Sequence, residues 1–217
     1  MERIRSISIM LRALALPLPA AADPPLYSVE FQNYLSADPL DYTMPEMELL
    51  VLQDLTGPGG KAGTLGVYGF ALVNRGPGDI HARWGQIQFG LTYWVVDGLE
   101  WGLGGGLEQG PSAPRAATFV FVDPSTWNNI SALAVAEYGF HSSDDYYYTS
   151  NFGYHVTDFL RVGGIAERFL GVGPRLDLSI PSIHFRVHAA VTRDLELDTT
   201  NALVGVVWDC LTPEACK

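Results

Sequence analysis

Apolar and polar residues alternate with period two over long stretches of this chain. Ile87, Phe89, Leu91, Tyr93 and Val95 share one side of a segment whose other side carries Gln86, Gln88, Gly90 and Thr92. After Val96-Asp97-Gly98 the pattern resumes, with Leu99, Trp101, Leu103 and Leu107 set between Glu100, Gly102, Gly104, Gly106 and Glu108. Such alternation marks a strand with two unlike faces, and Asp-Gly suits the tightest hairpin turns. Two later segments repeat it. Leu170, Val172, Leu176, Leu178 and Ile180 alternate with Gly171, Gly173, Arg175, Asp177 and Ser179. Past Pro181, Ile183, Phe185, Val187, Ala189 and Val191 alternate with Ser182, His184, Arg186, His188 and Ala190. Helical spacing accounts for none of the four.

Eight further segments read as strands with less even faces: 27–35, 47–55, 62–73, 116–122, 129–140, 146–156, 159–167 and 202–208. The total is about twelve strands in one all-β domain, with no internal repeat and no linker. A water-facing sandwich and a lipid-facing barrel both alternate. The polar faces here are small and Gly-rich, whereas an exterior in water would carry many more Lys and Glu. The connections separate the two further. In odd positions they run 36–46, 74–83, 109–115, 141–145, a tight break near Arg168, and 192–201; in even positions 56–61, 96–98, 123–128, 157–158 and Pro181. Mostly longer loops on one side and shorter turns on the other are expected of an outer-membrane barrel.

Composition narrows the function. The 217 residues carry 13 Lys+Arg against 24 Asp+Glu, a net charge of -11, which argues against a nucleic-acid partner. Hydrophobic residues at 47% and charged ones at 17% exclude disorder over most of the chain. Residues 1–22 begin with Arg3 and Arg5, run through apolar stretches interrupted by Arg12, and end Ala20-Ala21-Ala22. This reads as an export signal cut after Ala22, leaving 23–217 as the folded domain. No later apolar run is long enough for a helical membrane span.

The signal-like start, the alternating segments such as 87–95 and 182–191, and a last strand ending at Trp208 together resemble bacterial outer-membrane β-barrel proteins as a broad class. The resemblance covers about residues 27–208. It implies a single antiparallel up-and-down transmembrane barrel in the bacterial outer membrane, with lipid as its surroundings. Barrels of this class often finish on a terminal aromatic; here nine residues follow Trp208. No motif of a particular transporter, adhesin or lipid-modifying enzyme stands out. Trp84, Tyr93, Trp94, Trp101, Tyr138 and Tyr146 to Tyr148 fall near strand ends, where an aromatic girdle is expected.

Inward-facing charge is the candidate chemistry. His184, Arg186 and His188 fall on one polar face, with Arg175 and Asp177 on the preceding strand and Gln86, Gln88, Glu100 and Glu108 elsewhere on the inward face. Such a lumen would pass or bind a small solute through a narrow charged interior, or fill itself with paired charges and serve a structural or adhesive role. Ser182 with His184 offers a lipid hydrolase as a further alternative, although no nucleophile elbow is present. A secreted β-sandwich binding module is the reading without a membrane. The loop carboxylates of 141–145 and of Asp194, Glu196 and Asp198 have no EF-hand pattern and read as solvated loops. No cofactor, metal site or catalytic residue is assigned. Cys210 and Cys216 are expected to close a small disulfide loop in an oxidising compartment.

Overall fold

The computed structural model describes residues 25–36, 43–75, 83–109, 114–140, 145–168, 170–195 and 198–210. The export segment 1–22 and Cys216 lie outside the described residues, as does the side chain of Cys210. Twelve strands follow one another: β1 Leu26–Ser36, β2 Thr43–Asp54, β3 Leu65–Arg75, β4 Arg83–Val96, β5 Leu99–Gln109, β6 Pro114–Val122, β7 Ile130–Gly139, β8 Tyr146–Thr157, β9 Leu160–Glu167, β10 Gly171–Ile180, β11 Phe185–Asp194 and β12 Thr199–Cys210. Each pairs antiparallel with the next. β1 pairs with β12 from Tyr27↔Cys210 to Ser36↔Asn201, which closes an up-and-down barrel and leaves no open edge.

The break near Arg168 is a true connection between β9 and β10, so the count is twelve. Gly171 takes φ +96° there, and a Cβ would lie 2.2 Å from the Arg193 carbonyl oxygen. Only glycine accepts both conditions.

Apolar side chains face out. Leu91 is 57% exposed, Phe152 57% and Val172 54%, while the polar neighbours Gln88 and Asp177 are 3% and 0% exposed. A water-soluble sandwich does the reverse. An apolar outside around a polar inside is the arrangement of a barrel in lipid.

The connections at the mouth holding the chain ends are 55–64, 97–98, 123–129, 158–159 and 181–184. At the far mouth the expected longer loops fall largely on 37–42, 76–82, 110–113, 141–144, 169 and 196–197, which lie outside the described residues. Residues 62–64, expected as the start of β3, instead continue the preceding turn, which holds Gly60 at φ +78° and Gly63 at φ +87°. It folds against the next hairpin: Gly98 N–H donates to the Gly60 carbonyl at 2.9 Å and Gly63 N–H to the Trp94 carbonyl at 2.8 Å. Asp97 in that hairpin accepts from the Ala62 N–H at 2.9 Å and pairs with Lys61 at 3.0 Å. The amide and the ammonium hold its carboxyl below the usual range.

The girdle forms in part. Tyr93 and Trp101 near the terminal mouth, and Tyr138, Tyr146 and Tyr148 near the far mouth, are exposed on the outside. Trp208 joins the first set against Tyr27, with ring centres 5.5 Å apart. Arg168 stacks over the Tyr146 ring at 3.7 Å. Trp94 and Tyr147 do not belong: strand parity turns both inward. The Trp84 side chain lies outside the description.

Candidate functional site

Register fixes which side chains meet in the lumen. Along one wall, Arg161 on β9 lies opposite Asp177 on β10, Asp177 opposite His188 on β11, and His188 opposite Gly205 on β12. Asp177 is fully enclosed and accepts from Arg161 Nη1 at 2.8 Å and Arg175 Nη2 at 3.0 Å. Arg161 extends over Gly153 to donate to Ser131 Oγ at 2.7 Å and Asn151 Oδ1 at 3.2 Å. His188 reaches over Gly205 toward β1, where its Nε2 lies 3.3 Å from Glu30 Oε1. Arg186 shares the inward face of β11. Arg175, Asp177, Arg186 and His188 therefore share one neighbourhood, as the alternation implies.

His184 does not join them. It closes the short 3-10 turn Pro181–Ile183 in a left-handed conformation, φ 54°, one residue before β11 begins. Ser182 lies exposed in the same turn. The turn chemistry of Pro181 ended the strand before the alternation did. A three-rung ladder and a Ser182–His184 pair on one strand both fail for this reason.

The opposite wall is built differently. On β5 the inward positions are Gly102, Gly104 and Gly106 between Glu100 and Glu108. Tyr68 on β3 lies across Gly90 and Gly104 and meets Phe119 on β6 edge-on, with ring centres 5.3 Å apart. Gln86 and Gln88 reach over β5 and β6 to Glu137 Oε1 on β7, at 3.1 and 2.8 Å. Arg115 Nε lies 3.2 Å from Glu137 Oε2, and Arg115 Nη1 bonds Glu108 and, at 2.9 Å, Asp145. Glu100 accepts from the Thr92 hydroxyl, and Trp94 Nε1 donates to Asp54 Oδ1 at 3.1 Å. Glu100 and Glu108 thus find partners on their own wall rather than serving Arg186 and His188.

Toward the far mouth a third group ties β1, β2, β8 and β9. Tyr34 Oη on β1 donates to Glu167 Oε1 on β9 at 3.0 Å and lies 3.3 Å from Glu46 Oε1 on β2. Gln32 Nε2, with two N–H donors, lies within reach of Glu46 at 2.6 Å, Tyr34 Oη at 2.9 Å and Glu48 at 3.2 Å. Tyr147 and Thr149 on β8 also bond Glu167. The sequence reading missed this set, along with Glu137, Arg115 and Arg161. A signal existed: a charge within a lipid-facing strand must point inward, so Glu46, Glu137 or Glu167 alone fixes the parity of its strand.

Two loop carboxylates are accounted for locally, since Asp145 takes Arg115 and Asp198 pairs with Arg193. Residues 141–144 and 196–197 lie outside the described residues.

Comparison with known proteins bears on this architecture. No protein-family profile matches the chain, and no curated protein matches it. Among solved structures, a KdgM porin superposes with a TM-score of 0.52 at 15% identity, covering 83% of this chain and 98% of the porin. Outer membrane phospholipase A from Escherichia coli superposes at 0.51 with 18% identity, covering 86% of this chain and 99% of that one. At these identities the likeness is one of fold: a closed twelve-stranded antiparallel barrel of the kind found in bacterial outer membranes.

Proposed function

We propose that the protein is an outer-membrane barrel that passes or binds small polar solutes in a narrow, charged lumen. One observation carries this reading: the inward face is polar and holds buried polar atoms that the protein itself leaves unsatisfied. Tyr68 Oη and Gln86 Oε1 have no hydrogen-bond partner among the described residues, although their side chains are 5% and 4% exposed. A dry core would bear the full desolvation penalty of such atoms, whereas a wet interior or a polar solute satisfies them. Arg175, Asp177, Arg186 and His188, with Gln86, Gln88, Glu100 and Glu108, are the proposed lining. Single-channel recording in a planar bilayer tests the reading, which predicts discrete conductance steps that fall when small polar solutes are added.

A specific observation favours a second reading. Asp177, Leu203 and Val207 are 0% exposed, and hydrogen bonds cross the interior between strands that are not neighbours. A barrel filled in this way would be structural or adhesive, and would conduct nothing under any condition.

Residues 1–22 are proposed as the export signal and Cys210–Cys216 as a disulfide formed after export. Fractionation of the full-length protein to the outer membrane supports the first. Two reactive thiols in unreduced, unfolded protein would exclude the second.

A further inference from the structure

β1 and β9 are separated in the barrel wall by β10, β11 and β12, yet Tyr34 and Glu167 bond directly. Their side chains therefore run as a chord across the lumen, and three observations describe what the chord does.

First, the space behind it is solid. The Tyr34 ring packs with Ile165, Leu170, Ala190 and Leu203, each at most 4% exposed, in one apolar cluster under β10–β12. Second, the opposite wall has its own chord, the reach of Gln86 and Gln88 from β4 to Glu137 on β7. Both chords lie in the far-mouth half of the lumen. Third, the chords are held differently. The Glu137 chord is secured by two amides and by the buried Arg115. From β1 the other chord is held by one phenolic proton, with Glu167 Oε1 and Glu46 Oε1 both within reach of the same oxygen, while Tyr147 and Thr149 hold Glu167 from β8. One O–H donates fully to one acceptor at a time. The Tyr34 proton can therefore go to Glu167 on β9 or to Glu46 on β2, releasing the tie without moving the packed ring.

We propose that Tyr34 is the specificity-determining residue of the lumen: its tie to Glu167 is a removable strut that sets the largest solute able to pass. This rests on the solute-passage reading and adds the element that limits it. A size limit set by one hydroxyl is separable from the packing of the ring that carries it. Tyr34→Phe keeps the ring on Ile165 and Leu203 and deletes the hydroxyl, losing the tie together with the contacts to Gln32 and Glu46. Glu167→Ala deletes the acceptor for Tyr34, Tyr147 and Thr149, whereas Glu167→Gln retains a carbonyl oxygen that can still accept.

The test is single-channel conductance of the full barrel in planar bilayers, with neutral polyethylene glycols of increasing size added to find the cutoff at which they cease to enter. Heat-modifiable gel migration confirms that each variant is folded. Tyr34→Phe and Glu167→Ala are expected to raise conductance and shift the cutoff to larger polymers, while Glu167→Gln stays at the wild-type values. Wild-type conductance and cutoff in folded Tyr34→Phe would overturn the strut and leave the passage reading standing. Glu167→Gln behaving as Glu167→Ala would overturn the hydrogen bond as its basis. A barrel silent in the wild type and in all three variants would overturn both the strut and the passage reading.

Discussion

The two walls of the lumen solve one problem in different ways. Side chains pointing into a barrel must fill or cross a space that neighbouring strands alone do not close. On β3–β7 the solution is a glycine saddle: Gly90, Gly102 and Gly104 give up their side chains, and Tyr68 and Phe119 occupy the room. On β9–β12 and β1 the solution is charge, with Arg161 and Arg175 closing on one enclosed carboxylate. The first wall is held by shape beside the Arg115 ion pairs, and the second by ion pairing around Asp177 beside the apolar cluster of Ile165, Ala190 and Leu203. They therefore fail differently when disturbed.

The largest expected effect breaks the charged wall. Asp177→Ala would leave Arg161 and Arg175, 4% and 6% exposed, without their shared acceptor. Removing one member of a buried charge set costs about 3–5 kcal/mol. Urea unfolding of the barrel in lipid should register that loss. A change near zero would mean that water already solvates the cluster.

A comparable effect, about 2–4 kcal/mol near the bilayer midplane, is expected for Leu91→Arg on β4 and for Leu178→Arg on β10. These residues are 57% and 49% exposed on the outside of the two different walls. Equal costs would confine the contrast between walls to the lumen, and unequal costs would show that it reaches the lipid face. Gln88→Arg is not a cheap inward control, because Gln88 is buried and already bonded to Glu137.

Smaller substitutions sharpen the contrast. At Gly104 an added Cβ would lie 2.3 Å from the Phe89 carbonyl oxygen and 2.8 Å from the Gly90 Cα, atoms that move only with the backbone. At Gly205 it would meet side-chain atoms rather than backbone, His188 Nε2 at 2.3 Å and Gln32 Cβ at 3.0 Å. Gly104→Ala should therefore cost about 1–3 kcal/mol, and Gly205→Ala less. The reverse order in the same unfolding assay would refute shape as the first wall's support.

The smallest effect lies outside both walls, at Asp97. Its folded carboxyl titrates below the ordinary value of 3.8, so its contribution is present above that pH and is lost as pH falls through the lower folded value. The thermal midpoint of the wild type should drop more than that of Asp97→Asn between about pH 5 and about pH 2.

Alternation determined the faces. In 87–95 and 172–180 every second residue must meet lipid, and the lipid selects apolar side chains without reference to any partner; Leu170, just before β10, instead turns inward to the Tyr34 cluster. Strand number and the barrel class follow from that local demand, and so does the inward direction of Gln86, Gln88, Glu100, Glu108, Arg175, Asp177, Arg186 and His188. Partnership was decided only by closure. Whether Glu108 meets Arg115 or Arg186, and whether Tyr34 reaches Glu167 across three intervening strands, depends on register, barrel tilt and the glycines beneath each side chain. His184 shows the same division at short range. Its parity matched the ladder, but the turn at Pro181 set its backbone, and a residue outside the ladder's hydrogen bonds no longer obeys the period of the strand.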